Sequence, residues 1–174
     1  MISGESLQEL YEYLHKLKQL NRSGWVRNKV KNSESVADHS FSLAILAMLV
    51  AQQRGLNVEK AMKIALIHDL GESIIGDLTP HDGVDKKEKH HREKAALKEI
   101  LARLQQKEEL IGLWQEFEDK SSPEAKLVAQ LDKLDAYLQA RNYRLPEEGL
   151  NEFMNNAREN IDDPELSELL DNLV

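Results

Sequence analysis

The chain has 174 residues, 41% hydrophobic and 31% charged, the size and mix of one soluble domain with a core of its own. A net charge of −8, with a pI near 5.3, excludes the electrostatic footprint of a protein that binds a nucleic-acid polymer. The absence of cysteine excludes disulfides, zinc–thiolate centres and thiol nucleophiles together. Leu7, Leu10, Tyr11, Leu14 and Leu17 recur at three and four residues and predict a first helix before Asn21. A loop is expected from about Asn21 to Asn32, with Gly24 as its breaker. A second helix starts near Ser35, runs through Leu43, Leu46 and Val50, and stops around Gly55. Asn57 suits the N-cap of a third, with Ala61, Ile64, Ala65 and Ile67 inward and Gly71 past its end.

Gly76 to Gly83 contains Pro80 and reads as an irregular loop. A charged helix follows from about Asp85 to Leu104, its apolar stripe being Ala95, Leu97, Ile100, Leu101 and Leu104. Leu110, Leu113, Trp114 and Phe117 mark another. Ser122-Pro123 is an N-cap followed by proline, the start of a helix reaching Arg141. A weaker helical tail follows Pro146, with Pro164 opening its last segment. Strand alternation, internal repeats and dividing linkers are missing, so the prediction is a single all-α domain over 1–174. No run approaches the ~20 apolar residues of a membrane-spanning helix. The N-terminus lacks the pattern of a secretory signal, and a cytoplasmic protein is expected.

The chemistry concentrates at His68-Asp69, where an apolar helix runs out. A carboxylate in such a place is costly unless something positive neutralises it. His39 in the first turns of the second helix, and Asp132 on or beside the inward face of the Ser122–Arg141 helix, are further donors; no arginine is near Asp132 in sequence. Three helices can bring His39, His68, Asp69 and Asp132 to one point, as metal sites in helical bundles do. Two imidazoles and two carboxylates suit a divalent Mn, Co, Fe, Ni or Zn rather than Ca. For each residue a plainer reading stands beside this one: a satisfied core histidine, or a chance His-Asp pair. Glu72 and Asp77 follow the third helix. An acid past a helix C-terminus opposes the helix dipole, so Glu72 is either a solvated loop carboxylate or a group that handles the proton of a water. Arg22, in a basic patch with Arg27, Lys29 and Lys31, offers a fork to a small phosphate. Trp25 is either a border for sugar or base or a core anchor. His15, His81, His90 and His91 read as surface residues, and Lys86 to Lys94 as a solvated helix face.

Taken together these residues resemble the HD-domain superfamily of metal-dependent phosphohydrolases, and more closely the HD-domain 5′-deoxynucleotidases and their eukaryotic relatives. The segments that carry the resemblance are Arg22-Ser-Gly-Trp25-Val, Glu34-Ser-Val-Ala-Asp-His39-Ser, His68-Asp-Leu-Gly-Glu72 and Gly76-Asp-Leu-Thr-Pro80. Lys86 to Glu93, Leu113 to Glu118, Ser122 to Lys126 and Gln130 to Leu134 add to it, over about 7–143, with 144–174 a helical tail that adds little.

The resemblance implies a helical bundle with His39, His68, Asp69 and Asp132 as ligands of a divalent ion, which could also be Mg. It implies Glu72 assisting the nucleophilic water, Asp77 at the substrate or in proton transfer, and Arg22 on the 5′-phosphate. Trp25 would favour 2′-deoxyribose, and the protein would be a homodimer acting on a small nucleotide. In the bacterial type the Arg and Trp are adjacent; here Ser23 and Gly24 separate them, as in the eukaryotic branch. The expected activity is hydrolysis of (deoxy)nucleoside 5′-monophosphates to nucleoside and phosphate. The alternatives are a cyclic-nucleotide or di-iron HD enzyme, against which Glu72 after Gly71 argues, and a non-catalytic nucleotide-binding HD domain.

Overall fold

The structure, a computed structural model, describes residues 2–173, the side chain of Pro80 aside; Met1 and Val174, at the ends of the expected 1–174 domain, lie outside the described residues. Among the described residues every regular element is helical, and strand pairing is limited to one isolated bridge between Asn21 and Ser35. None of these helices is long and apolar enough to cross a membrane.

Three helices carry the centre of the molecule: α3 (Val36–Gln53), α4 (Val58–Ile67) and α8 (Pro123–Asn142). Each begins where the sequence predicts, because a short polar side chain takes up a free amide. The Ser35 hydroxyl accepts from the Asp38 N–H at 3.1 Å, and the Asp38 carboxylate accepts from the Ser35 N–H at 2.9 Å, closing a capping box. Asn57 Oδ1 accepts from the Lys60 N–H at 3.0 Å, and Ser122 Oγ from the Ala125 N–H at 3.3 Å. Such caps contribute about 1 kcal/mol each. Gly55, at φ +65°, supplies the left-handed residue that ends α3.

These helices approach closely because their facing positions are small. Ala44, Ala47 and Ala51 on α3 and Ala61 and Ala65 on α4 are buried, and Leu127, Val128, Leu131 and Leu134 of α8 fill the space beside them. Each fully buried leucine or valine of that set stabilises by roughly 1.5–3 kcal/mol. The remaining helices surround this core. Helix α1 (Gly4–Gln19) lies on α3 and on α5 (Glu72–Ile75), and α6 (Lys86–Ile100) packs on α5 and α7 (Lys107–Asp119). Helix α9 (Glu147–Asn160) packs along α8, and α10 (Pro164–Asn172) follows it.

Several expectations need correction. The expected Asn21–Asn32 loop contains a helix, α2 (Ser23–Arg27), with Gly24 inside it rather than breaking it. Gly24 is small because a Cβ there would come within 3.3 Å of the Phe153 ring. Gly71 lies past the end of α4, as expected, but does not stand in a loop. It has φ −59° and precedes α5, and a Cβ on it would sit 3.1 Å from the Glu93 carbonyl oxygen. Glu72 is therefore the first residue of a new helix, buried, and not a solvated acid beyond an old one. On α6, Ala95 is exposed and the buried positions are Glu93, Ala96, Leu97 and Ile100. Of the expected apolar stripe of α1 only Leu17 is buried, with Leu10 packed against the core; Leu7, Tyr11 and Leu14 are exposed because α1 has neighbours on one side only.

Candidate metal centre

His39 sits in the first turn of α3, while His68 and Asp69 directly follow α4, and both rings are buried. Their Nδ1 sides are already committed. His68 Nδ1 lies 2.8 Å from the Ala65 carbonyl, and His39 Nδ1 lies 2.7 Å from Asp135 Oδ2. A carbonyl and a carboxylate can only accept, so in the neutral rings Nδ1 carries the proton and Nε2 presents a bare lone pair. That is the arrangement in which histidines are held as metal ligands.

Both Nε2 atoms are buried without a hydrogen-bond partner, and so are Glu72 Oε2 and Arg22 Nη1. An unpaired buried polar atom costs about 1–3 kcal/mol, and two such nitrogens in imidazoles whose centroids are 5.4 Å apart call for a ligand. Donor atoms of His39, His68 and Asp69 all lie within 4.8 Å of each other. Asp69 Oδ2 stands 3.0 Å from His68 Nε2, and Asp132 Oδ1 stands 3.1 Å from His39 Nε2, neither in line for a hydrogen bond. Two ligands about 2.1 Å from one ion and roughly at right angles are about 3 Å apart. His39, His68 and Asp69 thus form a group that could hold a divalent cation, and Asp132 approaches it from the His39 side.

Charge follows the same pattern. Burial by itself would raise the Asp69 carboxyl, but the adjacent His68 ring holds it below the usual range. Burial likewise works against Asp132, and Lys133, with Nζ 2.8 Å away, and His39 hold it well below. Arg22 reaches Asp132 from across the cleft at 4.0 Å. Asp132 thus has the partners its burial demands: Lys133 is the next residue, and Arg22, distant in sequence, arrives with α2. His39 is disfavoured as a cation by burial and by Arg22, yet Asp132 and Asp135 push its pKa up to about 9. Glu72 is pushed well above the ordinary carboxyl value by burial and by the negative charges of Asp69 and Asp77.

Two clefts meet at the donors. One, of about 360 Å³, is lined by Arg22, Trp25, Glu72, Asp77 and Phe153; the other, of about 340 Å³, by His68, Lys86, His90 and Lys120. Asp69, Asp132, Lys89 and Lys133 border both. Asp77 is brought to the site but is partly spoken for: its Oδ2 accepts from the Ser23 N–H at 2.6 Å, and its carbonyl accepts from the Ser23 hydroxyl at 2.7 Å. Trp25 is fully buried, stacked on Phe153 with centroids 4.5 Å apart and edge-on to Tyr143 at 5.2 Å, yet it still borders the first cleft. The basic patch divides, since Arg22 faces the donors while Arg27 pairs with Glu152. His15, His81 and His91 are exposed as expected, but His90 is half-buried, 2.9 Å from Glu118 and tilted onto Trp114.

Three contributors were missed. Asp135 had a signal, since it lies three residues from Asp132 on the same apolar helix face. Lys133 had one too, as the immediate neighbour of a buried acid. Phe153 had none, because its partner Trp25 is more than a hundred residues away and α9 carries no motif.

The HD-domain family model matches residues 14–170. The chain belongs to the HD-domain family. The match extends well past Arg144, so the tail is part of the domain pattern, in keeping with α9 supplying Phe153 to the cleft. Among its relatives, a human protein named "5′-deoxynucleotidase HDDC2" is 38% identical over 179 residues, covering 98% of this chain and 87% of that one. A zebrafish (Danio rerio) protein of the same name is 42% identical over 141 residues, covering 80% of this chain and 70% of its own. Among solved structures, a protein of Pyrococcus horikoshii OT3 matches with a TM-score of 0.78 and 33% identity, over 94% of this chain and 96% of that chain. Phosphohydrolases of this HD-domain family depend on a metal, and the His/Asp group here could bind one.

Proposed function

We propose that this HD-domain protein is a metal-dependent 5′-nucleotidase that hydrolyses deoxynucleoside 5′-monophosphates to nucleoside and phosphate, with 1–174 acting as one domain. The observation that carries this reading is the pair of buried, unpartnered nitrogens His39 Nε2 and His68 Nε2 beside Asp69 and Asp132, two carboxylates that also border the cleft lined by Arg22. The names of the human and zebrafish relatives support the substrate class.

His39, His68, Asp69 and Asp132 would hold the ion, drawn from Co, Mn, Fe, Ni, Zn or Mg. When bound, it supplies positive charge that polarises a phosphate and acidifies water. Arg22 Nη1 binds the phosphate oxygens and offsets charge that grows as the ester bond breaks. Glu72 Oε2 takes the proton of the attacking water, a task suited to a carboxyl whose pKa burial has raised. Asp77 fixes the start of α2, and with it Arg22, through Ser23, and its free oxygen faces the substrate. Trp25 and Phe153 wall the sugar end, where a 2′-hydroxyl finds no partner on an apolar ring. The assembly is a homodimer. Its support on this chain is the exposed row Phe41, Ile45 and Leu49 along one face of α3, which a second copy would cover.

Phosphate release from a panel of deoxy- and ribonucleoside monophosphates, triphosphates and cyclic nucleotides, with each metal added in turn, tests the reading. Turnover confined to 5′-monophosphates and stronger with deoxyribose is expected. Preferred cleavage of cyclic or triphosphate substrates, or no turnover with any metal, would overturn it.

A further inference from the structure

Glu34 belongs to no helix and to none of the roles above, yet it touches both ends of the site. Its Oε1 accepts from the Trp25 indole N–H at 2.9 Å. Its backbone carbonyl accepts from the Arg22 N–H at 3.3 Å, and its own N–H donates to the Tyr143 hydroxyl oxygen at 2.7 Å. On its other side, donor atoms of Glu34, His39 and Asp135 lie within 4.8 Å of one another. This trio is not a second cation cradle. Asp135 occupies His39 Nδ1 at 2.7 Å, and the indole N–H already donates into the Glu34 carboxylate.

We propose that Glu34 is a positioning residue that couples the substrate cleft to the metal centre, holding the indole of Trp25 with one oxygen while its carboxylate and that of Asp135 together face the Nδ1 edge of His39. The inference rests on the reading of His39 as a ligand. Two carboxylates behind one imidazole favour the Nδ1–H tautomer and make Nε2 more basic toward a cation. A cation on Nε2 then strengthens the Nδ1–H donor and draws the carboxylates toward His39. Because Glu34 also holds Trp25 and the Arg22 backbone, that pull is felt at the wall of the substrate cleft. Removing the indole donor should therefore weaken metal binding although Trp25 touches no ligand.

The test uses the full chain stripped with chelator and titrated with Zn²⁺, read by calorimetry and by the indole ¹H–¹⁵N resonances, with Trp25→Phe assigning the Trp25 signal against Trp114. In the wild type, Zn²⁺ should bind and the Trp25 resonance should move. Glu34→Gln keeps an acceptor for the indole but not the charge, and should weaken Zn²⁺ about 10-fold or more, the size of effect typical for groups behind a ligand. Trp25→Phe, which keeps the ring contacts with Phe153 and Tyr143, should weaken it by a smaller but measurable factor. Thermal melts of the stripped proteins identify any variant that has merely lost its fold. A Trp25 resonance unmoved in Zn²⁺-bound wild type would overturn the coupling without any variant. So would wild-type affinity in folded Glu34→Gln. Failure of the wild type to bind Zn²⁺ would instead remove the metal reading, and this inference with it.

Discussion

His39 and His68 sit at the ends of the paired core helices α3 and α4, aimed by a carboxylate on α8 and by a carbonyl three residues back. Arg22, Trp25 and Asp77 sit on a five-residue helix and a loop, and are tied down by one another, by Glu34 and by Phe153 from α9. The metal end is thus rigid by virtue of local helix geometry and core packing. The nucleoside end is rigid only because distant pieces agree. The first kind of construction varies little without loss of the fold. The second can be retuned by a short change such as Ser23-Gly24, which places Ser23 to bond Asp77 and Gly24 to admit Phe153.

The contrast is broken most severely at Asp69. Asp69→Ala should abolish turnover on every substrate and lower the metal content measured by elemental analysis, since a charged ligand is removed and its partners lose their alignment. Full occupancy and turnover in that variant would show that the metal end is not where we place it. Glu72→Gln lies at the junction of the two ends. It should retain metal and KM while kcat falls by about 10²-fold or more, the usual contribution of a positioned proton acceptor; loss of metal would move Glu72 into the ligand set.

Phe153→Ala probes the nucleoside end alone. At saturating metal, KM should rise about 10-fold with kcat little changed, because the apolar wall binds ground state and transition state alike. The deoxy-to-ribo ratio of kcat/KM should narrow as the wall against the 2′-hydroxyl loosens. An unaltered ratio together with lowered stability would make the Trp25–Phe153 pair a packing element only. The last effect is on stability and not on turnover. Burial and the nearby Glu118 push Glu93 from 4.5 to about 7, against the opposing pull of Lys89. The folded chain therefore keeps a proton that the unfolded chain releases near pH 4.5, so stability falls as pH rises from about 5 to 7, by about 1–3 kcal/mol. Glu93→Gln should flatten the melting temperature over that window; an unchanged slope would assign the pH dependence to other groups.

Much of the metal end is legible in the sequence because its cues are local. A Ser35 cap fixes where α3 starts and so where His39 points, and the apolar period of α4 runs straight into His68-Asp69. Asp132 can be placed on a buried helix face from Leu127, Val128 and Leu131 alone. Local pattern failed where two elements meet. It read Gly24 as a breaker and Gly71 only as the residue past α4, although each is small because another chain segment passes close by. It left Glu72 open between a solvated loop carboxylate and a proton-handling group because a four-residue helix leaves no period to detect.

By itself the sequence determined the helical class and the starts of the main helices and pointed to four candidate donors, since hydrophobic period, capping chemistry and the cost of an unneutralised carboxylate all act within a few residues. Only the tertiary structure decided which lone pairs face one another, that Lys133 and Arg22 flank Asp132, that Asp77 is bonded to Ser23, and that Glu34 joins Trp25 to the neighbourhood of His39. Those relations depend on distances of about 3 Å between atoms whose residues lie tens of positions apart, and such distances are set by how helices pack, not by the order of residues within any one of them.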